Sequence, residues 1–86
     1  MRTIVVTGGG TGIGRAIADA FAADGEKVVI IGRRAALLER AAAETGAAWL
    51  TCDVSDPGAV MDFTNWLLRE IGPTVDVIVN NAGGTG

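Results

Sequence analysis

Thr7-Gly8-Gly9-Gly10-Thr11-Gly12-Ile13-Gly14 lies between a β-like run, Thr3-Ile4-Val5-Val6, and a helix-like run from Arg15 to Ala23. A glycine-rich turn that leaves a strand and opens a helix is a phosphate cradle. Glycine lets the backbone turn tightly and come close to a ligand. The first turn of the helix adds unpaired N–H groups and the positive end of its dipole. Gly8, Gly12 and Gly14 occupy the three spaced positions of the turn. Gly8 is read as the sharp exit from the strand, Gly12 as the point of closest backbone approach, and Gly14 as the contact between helix and sheet.

Working outward, apolar runs alternate with helical patterns. The sequence predicts a first strand over 3–7 and a first helix over 12–24, with Ile13, Ala16, Ile17, Ala20 and Phe21 on its buried face. Gly25 stops that helix. A second strand is expected over 27–31 and a second helix over 35–45, with Leu37, Leu38, Ala41 and Ala42 inward and Gly46 at its end. A third strand follows over 48–52. Asp56 reads as an N-cap and Pro57 as the first residue of a third helix. Val60, Phe63, Leu67 and Ile71 form the stripe of that helix, and Gly72-Pro73 ends it. Val75-Asp76-Val77-Ile78-Val79 is the fourth strand. Strands separated by helices imply parallel pairing through right-handed crossovers. The fold class is therefore α/β, a Rossmann-like doubly wound parallel sheet with four strands in the order 3-2-1-4. Ligands bind beyond the carboxyl ends of strands where the strand order reverses. The glycine turn and Asn80-Asn81-Ala82-Gly83 both fall at that point.

Composition narrows the classes. Eighty-six residues make one domain at most, small enough to bury only a modest core. The formal net charge is −3 with no basic run, which argues against nucleic acid as a partner. The single cysteine, Cys52, cannot form an internal disulfide. It reads as a small apolar residue of the third strand. No apolar run is long enough to span a membrane, and the residues before the glycine turn are too few for a signal peptide. A reducing, cytoplasmic setting is expected. Trp66 lies between Phe63 and Leu67 and reads as half-exposed packing, with contact to a partner as the alternative.

The spacing T-G-x-x-x-G-x-G over Thr7–Gly14, with Asn80-Asn81-Ala82-Gly83 after a predicted strand, resembles the ordinary branch of the short-chain dehydrogenase/reductase family. The resemblance covers the whole chain but only the N-terminal part of such an enzyme. It implies that residues 1–86 are the N-terminal dinucleotide-binding portion of the domain. In that role Thr7, Gly8, Gly10, Thr11, Gly12, Ile13 and Gly14 bind pyrophosphate or ribose, although Thr7 reads equally as a strand-end threonine. The family's NAD-binding members carry an acidic residue at the end of the second strand. Gly32 stands there, followed by Arg33 and Arg34. A guanidinium pairs bidentately with phosphate, so NADP is expected over NAD. The plainer reading of the two arginines is solvated charge at a helix start. Asp53 and Val54 resemble the family's adenine-contacting pair, with a turn as the alternative for Asp53. Asn81, Ala82 and Gly83 resemble the loop that lines the ribose and nicotinamide side.

The resemblance implies hydride transfer between a nicotinamide dinucleotide and a small-molecule carbonyl or alcohol, in a full-length protein that is a homo-oligomer. Family chemistry uses a tyrosine acid, a lysine four residues later and a serine. This chain has no tyrosine and no histidine, one lysine, Lys27, and one serine, Ser55. Neither is placed for the task, so no catalytic residue is assigned and the 86 residues alone are expected to be inactive. The alternative is a complete short module that binds nucleotide or a partner without catalysis.

Overall fold

The computed structural model describes residues 1–10 and 12–81. Seven elements follow in order: β1 Thr3–Thr7, α1 Gly12–Ala23, β2 Lys27–Gly32, α2 Ala35–Thr45, β3 Ala48–Thr51, α3 Pro57–Glu70 and β4 Val77–Val79. The four strands form one parallel sheet in the order β3-β2-β1-β4. This is the Rossmann-like α/β arrangement expected from the sequence. Thr7 pairs with Ile31, Val6 with Val79, and Gly32 with Thr51. The C-terminal ends of all four strands therefore lie along one edge of the sheet.

Alternation along the strands builds two cores. Ile4, Val6, Val28 and Ile30 face α1 and α2 and pack with Ala18, Leu38, Ala41 and Ala42. Val5, Val29 and Ile31 face the other way, onto Cys52 and onto Phe63 and Leu67 of α3. The central strands β1 and β2 are buried on both faces because helices cover both sides. The second face is covered less completely. An apolar groove runs between α3 and β4, lined by Val5, Ile31, Phe63, Leu67, Val75 and Ile78 among others. Ile78 is 67% exposed there. Trp66 stacks on Phe63 with ring centroids 6.1 Å apart and belongs to this second core, which favours its packing role.

Local chemistry explains the boundaries. Asp56 caps α3 by accepting from the Gly58 N–H at 3.0 Å, with Pro57 next in line. Gly46 closes α2 at φ 81°, donating to the Ala42 carbonyl at 2.7 Å. β4 begins two residues later than expected. Asp76 explains this: its N–H donates to the Thr3 carbonyl at 2.9 Å while its carboxylate accepts from the Thr3 N–H at 2.8 Å. That exchange anchors the strand entrance through a side chain.

The buried face of α1 differs from the expected one. Gly14 and Ala18 are its buried residues, with Ile17 and Phe21 packed beside them. Ile13 is 71% exposed, and Ala16 and Ala20 are also outward. The helix is rotated so that its smallest residue meets the sheet end. On α3, Val60 is 37% exposed, at the rim of the stripe.

Candidate functional site

The site is built where β1, β2 and β4 end together. Gly8 leaves β1 at φ 66°, a left-handed conformation that strains any side chain. The N–H groups of Gly8 and Gly9 both donate to the Ile31 carbonyl, at 2.7 and 3.4 Å. The turn is thereby latched to the end of β2. Each later glycine meets a different constraint. A Cβ on Gly9 would stand 2.6 Å from Ile30 Cγ2. On Gly14 it would overlap the Gly8 carbonyl oxygen and stand 2.6 Å from Asn81 Nδ2. Gly12, at φ 60°, has nothing among the described residues within 4 Å of its Cβ position, so the space they leave in front of it is open. The three spaced glycines therefore divide into a sharp exit, an open approach and a close packing contact.

The glycine turn forms one wall of a cleft. Gly8 and Gly10 face Gly32, Arg33 and Arg34, with Leu37 and Leu38 of α2 below. Arg33 and Arg34 are both exposed. Arg34 is the N-cap residue of α2 and provides no side-chain cap. An arginine is a poor choice at that position, where Ser, Thr, Asp or Asn would satisfy an N–H of the first turn.

Beside the cleft, the Cys52 N–H donates to the Gly32 carbonyl at 2.7 Å and brings Asp53 alongside Arg33. The Asp53 carboxylate accepts from the Ser55 hydroxyl at 2.6 Å and from its N–H at 3.0 Å. Those two bonds, helped by the positive charge of Arg33, hold its carboxyl below the usual aspartate range. Val54 is 44% exposed next to it. Burial pushes the Cys52 thiol the other way, up from its ordinary value, with the Asp53 and Asp56 charges adding to it.

The third wall comes from β4. Thr7 is only 6% exposed. Its hydroxyl accepts from the Asn81 N–H at 2.8 Å and lies 3.3 Å from the Val79 carbonyl and 3.4 Å from Asn80 Oδ1. One proton serves one of those two acceptors at a time. Thr7 thus ties the end of β1 to the loop after β4. Thr11, Ala82 and Gly83 lie outside the described residues.

Residues 2–86 match the family described as short chain dehydrogenase. The chain belongs to this family. It is 44% identical over 81 residues to the galactitol 2-dehydrogenase (L-tagatose-forming) of Cereibacter sphaeroides, covering 91% of this chain and 31% of that protein. It is 39% identical over 88 residues to sorbose reductase sou1 of Schizosaccharomyces pombe, covering 95% of this chain and 34% of that protein. The alcohol dehydrogenase of the archaeon Thermococcus sibiricus, complexed with 5-hydroxy-NADP, superposes with a TM-score of 0.82 at 36% identity, over 91% of this chain and 35% of that one. The chain spans about a third of the length of these relatives.

Two residues of the site were not singled out from sequence. Gly9 sits in a run of three glycines, and nothing in the run distinguishes the one that packs on Ile30. Ser55 had a legible signal, the Asp-Val-Ser spacing of an Asx turn, but its hydroxyl was weighed only as a catalytic group. Among the described residues no group of His, Cys, Asp or Glu could hold a metal ion, and no helix is long and apolar enough to cross a membrane.

Proposed function

We propose that the cleft holds NADP(H) and that this chain is the N-terminal dinucleotide-binding portion of a short-chain dehydrogenase/reductase domain, in a protein that interconverts a carbonyl and an alcohol. The observation that carries the cofactor choice is the corner after β2. Gly32 offers no carboxylate to repel a phosphate, and Arg33 and Arg34 stand at the cleft mouth beside the start of α2. Two cations at a helix N-terminus oppose the helix dipole, and an anion between them removes that conflict. The glycine turn fits a pyrophosphate in the same way: open space at Gly12 and close packing at Gly14, with the N–H groups that the first turn of an α-helix leaves without intrahelical partners. Asp53 and Val54 fit the adenine end, where a carboxylate accepts from an exocyclic amine. Asn81 fits the far end, held against Gly14 and fixed through Thr7. Thr7, Gly10, Thr11, Ile13, Ala82 and Gly83 complete the proposed set.

The bound dinucleotide supplies or takes the hydride. The residues of this chain bind and orient it. No tyrosine is present among the 86 residues, so the family's usual proton donor is not one of them. The expected partners are a nicotinamide dinucleotide and a small carbonyl or alcohol, in a homo-oligomeric, cytoplasmic protein. Titration of the intact protein with NADPH and NADH tests the reading. NADPH is expected to bind at least about tenfold more tightly, from one charge-assisted contact to the 2′-phosphate. Equal affinities for the two cofactors would overturn it.

A further inference from the structure

We infer that Ser55 is a positioning residue that aims the Asp53 carboxylate at the exocyclic amine of the cofactor's adenine; the inference rests on the dinucleotide reading above. The geometry begins with the asymmetry of that carboxylate. Both Ser55 donors fall on the same oxygen, Oδ1, the hydroxyl at 2.6 Å and the N–H at 3.0 Å. Among the described residues no hydrogen bond reaches Oδ2. One oxygen is therefore fixed and the other is left for an incoming donor. The backbone adds to the hold, because the Asp56 N–H donates to the Asp53 carbonyl at 2.9 Å and closes the turn.

The location makes this more than a loop detail. Cys52 is hydrogen-bonded to Gly32, so Asp53 follows directly on the strand pair that ends at the arginine corner. A carboxylate there, kept ionised by its Ser55 bonds, is an acceptor without a donor of its own. It suits a base that presents an N–H at its edge, and it repels one that presents an oxygen. An amino purine meets the first description. The same purine with a carbonyl in place of the amine meets the second. A turn that merely started α3 would be indifferent to that exchange.

The probes are NADPH and its deamino form, in which hypoxanthine replaces adenine, titrated into the intact protein and its Ser55→Ala, Ser55→Thr and Asp53→Asn variants. Wild type is expected to prefer NADPH by about tenfold, the scale of one charge-assisted hydrogen bond. In Ser55→Ala the preference should collapse to within about twofold, with affinity for the deamino form unchanged. Ser55→Thr keeps a hydroxyl and should restore the preference. Asp53→Asn, which can turn an N–H toward the hypoxanthine oxygen, should abolish or invert it. A Ser55→Ala variant with the wild-type ratio, or with both affinities lowered in parallel, would overturn the positioning role. A wild type that does not distinguish the two cofactors would instead defeat the adenine reading of Asp53 itself. If Ser55→Ala does not fold, as thermal unfolding would report, the Asp53→Asn and Ser55→Thr ratios carry the decision.

Discussion

The glycine turn after β1 and the arginine corner after β2 face one cleft, yet they are made in opposite ways. The turn is defined by the side chains it lacks. A Cβ at Gly9 meets Ile30, one at Gly14 meets the Gly8 carbonyl and Asn81, and Gly8 carries a positive φ. The corner is defined by two long side chains, both exposed, on a strand end and a helix start. Shape in the first region is inseparable from the packing of the domain. Charge in the second is layered on a backbone that would fold with other residues there. Binding and stability should therefore fail together at the turn and separately at the corner.

The largest effect is expected at Gly14. Gly14→Leu should abolish cofactor binding and disrupt the fold, because the added atoms must displace the Gly8 backbone rather than a flexible side chain. A folded variant with wild-type cofactor affinity, read by titration and circular dichroism, would remove the turn from the site. Gly9→Ala comes next, at about 1–3 kcal/mol of overpacking against Ile30. Combining it with Ile30→Ala, which removes the Cγ2 that the new Cβ meets, should cost less than the sum of the two single changes. Chemical denaturation of the single and double variants measures the recovery, and strict additivity would show that the two positions do not touch.

At the corner the signs change. Arg33→Ala should lower the NADPH-over-NADH preference by about tenfold while costing far less stability than Gly14→Leu. An unchanged ratio would exclude Arg33 from the phosphate contact. Arg34→Asp should give α2 a proper N-cap and raise stability by about 1 kcal/mol as NADPH affinity falls. A parallel loss of both would mean that Arg34 supports the fold. The smallest effect is in acid. The Asp53 carboxyl is depressed by its Ser55 bonds, so its contribution to stability is fully present above the ordinary value of about 3.9 and is lost as pH falls through the lower folded value. The difference in unfolding midpoint between wild type and Asp53→Asn should be constant near neutrality and vanish below that window.

The same contrast separates what the sequence tells from what it hides. Strand order and element boundaries were legible because glycine, proline and a capping aspartate punctuate the chain. Gly46, Asp56 and Pro57 act where they were expected to. The buried face of α1 was not legible. That helix is rich in alanine, so its apolar residues do not pick out one stripe, and the close approach of Gly14 to Gly8 turns it so that Ala18 faces inward and Ile13 outward. The late start of β4 was hidden for a related reason, since Asp76 substitutes a side-chain contact for strand pairing with Thr3. Arg33 and Arg34 stand out in the sequence as charges, whereas the bonds from Ser55 to Asp53 depend on how the turn folds.

The Thr7 hydroxyl carries one more consequence, and it concerns time. Its contacts at Val79, Asn80 and Asn81 lie 72 to 74 residues further along the chain. β1 can pair with β2 through a short crossover as soon as both have been synthesised. Its other edge must wait until β4, Val77–Val79, has been synthesised. Long loops are closed late and slow the rate, so the sheet should assemble from β1 toward β3 before it accepts β4. During that interval Ile4, Val5 and Val6 present an apolar strand edge with nothing beside it, the arrangement most prone to pairing with another chain. Ribosome pausing or a chaperone that shields the nascent chain would matter most in that window, and the last hydrogen bonds of Thr7 would mark its end.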